Sequence, residues 1–76
     1  MTESSTDYLL QFEAEFYRAT HKFPRPSASA HEAYAVLLEE LDEAWDAIKA
    51  NDIGQARKEM VQVGAMVLRF LLEVHE

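Results

Sequence analysis

The sequence predicts an all-α protein: a short N-terminal helix and then a long antiparallel helical hairpin, completed as a helical bundle by oligomerisation. Three observations carry this expectation. Apolar residues recur three and four apart along most of the 76 residues, and a period of two never persists long enough for a strand. Only two glycines and two prolines punctuate the chain, and both prolines fall in Phe23-Pro24-Arg25-Pro26. Hydrophobic residues make up 49% of a chain with no cysteine to staple it, and so short a chain hides only ~60% of the surface it exposes unfolded. That much apolar surface is hidden most readily against a second copy.

The first helix is expected over about residues 7–20, with Ser5 or Thr6 as cap and Tyr8, Leu9, Phe12, Phe16 and Ala19 as its apolar stripe. Residues 1–6 are expected to be disordered, within a single domain spanning residues 1–76. Residues 21–28 read as a proline-stiffened connection. Ser29 and Glu32 fit a capping box that opens a helix over about residues 30–50. Its expected core stripe is Tyr34, Leu37, Leu38, Leu41, Trp45 and Ile48. Asn51-Asp52 signals a turn, and Asp52 with Gln55 repeats the capping pattern for a third helix ending near residue 74. So short a connection implies an antiparallel hairpin.

The third helix is apolar on nearly all sides. Met60, Val61, Val63, Val67, Leu68, Phe70, Leu71, Leu72 and Val74 leave a polar stripe of Glu59, Gln62, Arg69 and Glu73, about 80° wide at 100° per residue. Such a helix must be surrounded, and one hairpin partner plus one short helix do not suffice. A homodimer or dimer of dimers is therefore expected.

Charge narrows the partners. Fourteen acidic against seven basic residues give a net charge of −7, which argues against nucleic acid or an anionic membrane. It permits divalent cations, and an anionic ligand is expected to arrive with one. The opening Met1-Thr2-Glu3-Ser4-Ser5 has no basic then apolar run, so no signal peptide is expected. The longest uncharged stretch, residues 60–68, is too short for a membrane span. A cytoplasmic protein is the expectation.

The chemical signal is Glu39-Glu40-Leu41-Asp42-Glu43 with Glu59 sixteen residues further on. Glu39 and Glu43 lie one turn apart, and in an antiparallel hairpin Glu59 runs back past them. Oxygen ligands without His or Cys suit a hard cation such as Mg²⁺ or Mn²⁺. A solvated helix face would carry the same residues, although like charges four apart are mildly destabilising and no Lys or Arg between residues 26 and 48 relieves them. His21, His31 and His75 have no metal-ligand spacing, and no phosphate-binding glycine loop or G-x-S-x-G motif is present.

The block FPRPSASAHEAYAVLLEELDEAW, residues 23–45, with VGAMVLRF at residues 63–70, resembles the short, phage-type members of the MazG-like branch of all-α nucleoside triphosphate pyrophosphohydrolases. The likeness covers roughly residues 20–72. That family carries E-E-x-x-E on one helix and E-x-x-D on the next. The first half is matched by Glu39, Glu40 and Glu43, and the second by Glu59, with Gln62 where the family has aspartate. The resemblance implies that Glu39, Glu40, Glu43 and Glu59 hold Mg²⁺, or Mn²⁺, and carry catalysis, one of them serving as base. It implies cleavage of a nucleoside triphosphate to the monophosphate and pyrophosphate. Gln62, a neutral acceptor with one oxygen, is a fifth candidate ligand that binds cations far more weakly than aspartate. Arg69 and Lys58 are candidate phosphate contacts; the alternatives are a carboxylate of a partner subunit for Arg69 and solubilising charge for both. The competing reading is a catalytically impaired helical oligomer that binds nucleotide or metal, or regulates.

Overall fold

Ser4 opens the first helix. Its Oγ accepts the Asp7 amide at 3.2 Å and its own amide donates to Asp7 Oδ2 at 2.9 Å, so both ends of a capping box are closed. The computed structural model describes residues 2–75, and three helices account for most of them. Helix α1 spans Ser5–Lys22, α2 Ala30–Lys49 and α3 Ile53–Glu73, with no strand among the described residues. The cap falls at Ser4, earlier than the Ser5 or Thr6 expected, because only Ser4 has a carboxylate three residues on. That corrects the disorder expected over residues 1–6: Ser5 and Thr6 are helical, and Glu3 accepts a hydrogen bond from Gln11. Met1 lies outside the described residues.

Ser29 caps α2 as expected, its Oγ accepting the Glu32 amide at 3.1 Å, while Glu32 reaches past it to the Ala28 amide at 3.3 Å. Asn51, with φ 59°, ends α2 in the left-handed conformation that asparagine tolerates better than most residues. The Asp52 amide then donates to Ala47 O at 2.9 Å and the Asn51 amide to Ile48 O at 3.0 Å, the Schellman pattern. Asp52 caps α3 at once, through Oδ1 to the Gln55 amide at 3.1 Å. Three residues therefore separate α2 from α3, and the two helices pack together. Helix α1 also packs on α3 and not on α2, so α3 is the common partner.

The packed faces differ from those expected. In α2 the residues turned inward are Ala33, Leu37, Glu40, Ala44 and Ala47, spaced four and three apart. The stripe expected as core, Tyr34, Leu38, Leu41, Trp45 and Ile48, is exposed instead, Trp45 by 55%. Only Leu37 of that set is half-buried. Alanines admit a closer backbone approach than leucines, so α3 takes the alanine face. On α1, Leu9 points out, while Gln11 and Glu15 join Tyr8, Phe12, Phe16 and Ala19 toward α3. Gly64 lets α1 approach: a Cβ there would lie 2.6 Å from the Phe12 ring.

Among the described residues the buried hydrophobic side chains are Ala44, Ala47, Ala56 and Ala65 alone. Large apolar side chains stay exposed on every helix, including Ile53, Met60, Val67 and Leu71 on α3. The polar stripe of α3 is half-buried, and Glu59, Gln62, Arg69 and Glu73 each have a hydrogen-bond partner. No helix is long and apolar enough to cross a membrane.

Candidate metal centre and adjoining cavity

Glu40 occupies the position in the α2 stripe between Leu37 and Ala44 where an apolar residue would complete the packing. Glu43 follows one turn later, and Glu59 comes from α3 across the seam. Each of the three offers a carboxylate oxygen within 4.8 Å of the other two. Gln55 Nε2 donates to Glu59 Oε1 at 2.7 Å and fixes that side chain on its own helix. The small side chains of Ala44, Ala47 and Ala56 set the close approach that lets short carboxylates from two helices meet.

The electrostatics follow from this crowding. Burial pushes the Glu40 carboxyl above the ordinary glutamate value, and the charges of Glu43, Glu59 and Glu39 push it further. Glu43, though exposed, is raised chiefly by hydrogen bonding to Glu59 and by that residue's charge. None of the four glutamates forms a salt bridge among the described residues. Glu39, expected with them, stays outside the trio; its charge acts on both α2 neighbours, and its side chain lines the adjoining cavity. Three converging carboxylates that form no salt bridge fit a hard divalent cation by donor chemistry.

That cavity, about 520 Å³, lies between the end of α1, the connection to α2, and the bodies of α2 and α3. Glu39 and Glu40 reach it from the acidic side. Arg18, Lys22 and Arg25 reach it from α1 and the connection, and Val36, Met66 and Phe70 supply apolar wall. Arg69 also touches it, with its guanidinium already engaged: Nε donates to Glu73 at 2.9 Å, and Nη2 to the Phe23 and Arg25 carbonyls at 2.7 and 2.9 Å. Glu73 in turn accepts the Ser27 amide at 3.4 Å. Arg69 therefore fastens the connection to α3 with Nε and Nη2.

Two other candidates lie as follows. Lys58 lines a separate groove between α1 and the start of α3, beside Tyr8 and Arg57, and does not reach the cavity of Glu39 and Glu40. Gln62 lines the cavity with Glu39 and Glu40, and its amide donates to Glu15 on α1 at 2.6 Å. Sequence reasoning missed Glu15, Arg18, Lys22 and Arg25. Their signal was present: three of the seven basic residues lie within residues 18–25, at intervals of four and three.

The fold and site thus define an all-α chain of three helices with a carboxylate trio beside a cavity of mixed charge. No family model, curated protein or solved structure matches the chain.

Proposed function

We propose that the chain is a MazG-like nucleoside triphosphate pyrophosphohydrolase, active with Mg²⁺ or Mn²⁺. It would add water across the α–β phosphoanhydride to release nucleoside monophosphate and pyrophosphate. The observation that supports this best is the meeting of Glu40, Glu43 and Glu59 from two helices, with Glu40 also lining a cavity that carries Lys22 and Arg25. Glu40, Glu43 and Glu59 would hold the cation, with Glu39 at its margin. A bound cation supplies charge neutralisation on the phosphates and a lowered pKa for water. The chain's own residues would do the rest: one of the four glutamates would accept the proton, and Lys22 and Arg25, which line the cavity, would offer charge to the remaining phosphates.

The quaternary part of the reading is an antiparallel α2–α3 hairpin completed by a second copy, as homodimer or dimer of dimers. Its support is the apolar stripe Tyr34, Leu38, Leu41, Trp45 and Ile48, which α3 leaves uncovered.

Incubating the full chain with a nucleoside triphosphate panel and Mg²⁺ or Mn²⁺ tests the chemistry. Monophosphate and pyrophosphate are expected, and Glu40→Gln and Glu43→Gln should abolish turnover with helicity kept. Diphosphate and phosphate as main products would refute it. A second reading, a non-catalytic module that binds nucleotide or metal, is favoured by one observation: Gln62, where the resembling family has an acid, faces Glu15 and leaves the trio without a fourth carboxylate from α3. Nucleotide binding with no product of either kind would select it.

A further inference from the structure

Gln62 has a partner of its own. Its Nε2 donates at 2.6 Å to Glu15 Oε2, and the same oxygen accepts Arg18 Nη2 at 2.7 Å and Arg18 Nε at 3.0 Å. One carboxylate oxygen thus gathers three N–H groups from two helices. A carboxylate at position 62 would have no hydrogen to give when ionised, and would set a like charge against Glu15. The amide is the side chain this contact requires.

The contact places Arg18. Glu15 occupies Nε and one Nη2 hydrogen, leaving Nη1 and the second Nη2 hydrogen for another acceptor. Arg18 lines the same cavity as Glu39 and Glu40. So do Lys22 and Arg25, neither of which forms a salt bridge among the described residues. An arginine held at one edge by a carboxylate presents its other edge in a fixed direction, which suits the planar fork to phosphate oxygens.

We propose that Gln62 and Glu15 are positioning residues that hold Arg18 on the cavity wall as a phosphate-binding group, so that a polyphosphate chain is clamped by Arg18 together with Lys22 and Arg25. That the chain belongs to a nucleotide rests on the function proposed above; the clamp itself needs no cation on the carboxylates. Gln62 is, on this account, a working residue and not the remnant of a lost ligand.

The test uses inorganic tripolyphosphate in EDTA, titrated calorimetrically into the full-length protein and its variants. Mn²⁺ binding is read separately by electron paramagnetic resonance. Wild type should bind tripolyphosphate, and Arg18→Gln should weaken it about tenfold, as expected for one charged hydrogen-bonding partner. Glu15→Gln is the decisive variant. It removes a negative charge beside the cavity, which by Coulomb attraction alone would strengthen binding of an anion. A loss of several-fold or more therefore reports the lost placement of Arg18, and the double variant with Arg18→Gln should be no weaker than Arg18→Gln alone. Gln62→Met, which removes the donor without adding charge, should weaken binding in the same way. Where Gln62→Met lowers helix content, Glu15→Gln, which keeps both shape and an acceptor for Gln62, carries the result. Unchanged or tighter binding by Glu15→Gln, or no tripolyphosphate binding by wild type, would overturn the clamp. Failure of wild type to bind Mn²⁺ would instead overturn the carboxylate reading and leave the clamp standing.

Discussion

Loading the carboxylate trio with a divalent cation should stabilise the folded chain, and the size of the effect can be worked from its geometry. Glu40 and Glu59, both half-buried, have oxygens within 4.8 Å of each other. Ionised charges at that separation repel by roughly 3 kcal/mol at an effective dielectric constant of about 20, reduced to about 1–2 kcal/mol by solvent at half-buried sites. A cation that binds only the folded state stabilises it by RT ln(1 + [M]/Kd), about 2.7 kcal/mol at a hundredfold excess over Kd, and relief of this repulsion is one of the contributions to that Kd. For a domain this small, 1 kcal/mol moves Tm by roughly 4–8 °C, so a rise of about 10 °C or more is expected. Differential scanning fluorimetry at fixed protein concentration measures it, with NaCl at matched ionic strength as control because a net charge of −7 is screened by any salt. Glu43→Gln should erase most of the rise.

The pH dependence gives a second handle on the same site. Glu40 and Glu43 are raised above the ordinary glutamate value of 4.5 in the folded chain. A raised folded-state value means the fold binds these protons more tightly than the unfolded chain does. Their contribution to stability is therefore fully present below the unfolded value and lost as pH rises through the raised ones. Without divalent cation, these two groups should make Tm rise as pH falls from neutrality toward 5. Cation and proton compete for the same oxygens, so the rise produced by Mg²⁺ should shrink over the same window. Equal Tm shifts from NaCl and MgCl₂ at every pH would refute the reasoning and return the glutamates to the role of a solvated helix face.

Three other perturbations separate the remaining contacts. Leu41→Glu, on the uncovered α2 stripe, should dissociate the proposed oligomer in sedimentation, since a carboxylate buried at an interface without a partner costs about 2 kcal/mol or more in each subunit; a monomeric wild type, or unchanged sedimentation, would refute the proposed interface. Arg69→Met removes two hydrogen bonds between α3 and the connection and a third to Glu73 on α3 itself, with both charged side chains of the pair largely buried, and should cost about 2–3 kcal/mol, read as a drop in urea midpoint. Gly64→Ala gains about 1 kcal/mol of helix propensity and sets a methyl 2.6 Å from the Phe12 ring. Over-packing of that kind costs about 1–3 kcal/mol, so the net change should be a modest destabilisation that Phe12→Leu relieves.

Helix number and the caps of α2 and α3 were legible in the sequence because they depend on local chemistry. Ser29 and Asp52 each satisfy a backbone amide three residues on, and the Asn51 turn rests on that residue's own tolerance of positive φ. Which apolar face packs inward was not legible. Helix α2 has two stripes of heptad spacing about 100° apart, one built on leucines and Trp45, the other on alanines and Glu40. Hydrophobicity ranks the first as core; the distance of closest approach selects the second. The backbone partners of Arg69 and the Glu15 partner of Gln62 were hidden for a related reason: each lies more than forty residues away in sequence, on an element whose position no periodicity reports.

The alanine seam ties the candidate site to the exposed stripe. Glutamate side chains are short, so carboxylates from α2 and α3 meet only if the helices approach closely, and Ala44, Ala47, Ala56 and Ala65 supply that approach. Alanine buries little apolar area, however, and the stability such a seam forgoes must be recovered elsewhere. The apolar residues that would have filled an ordinary seam lie on the adjoining face of α2, with Tyr34 60% exposed and Leu41 44% exposed. A chain that placed those residues against α3 would be more stable alone and would hold Glu40 and Glu59 too far apart to share a cation. The exposed stripe and the converged carboxylates are on this account two consequences of one choice of packing face, and covering the stripe with the proposed second copy would return the stability that the seam forgoes.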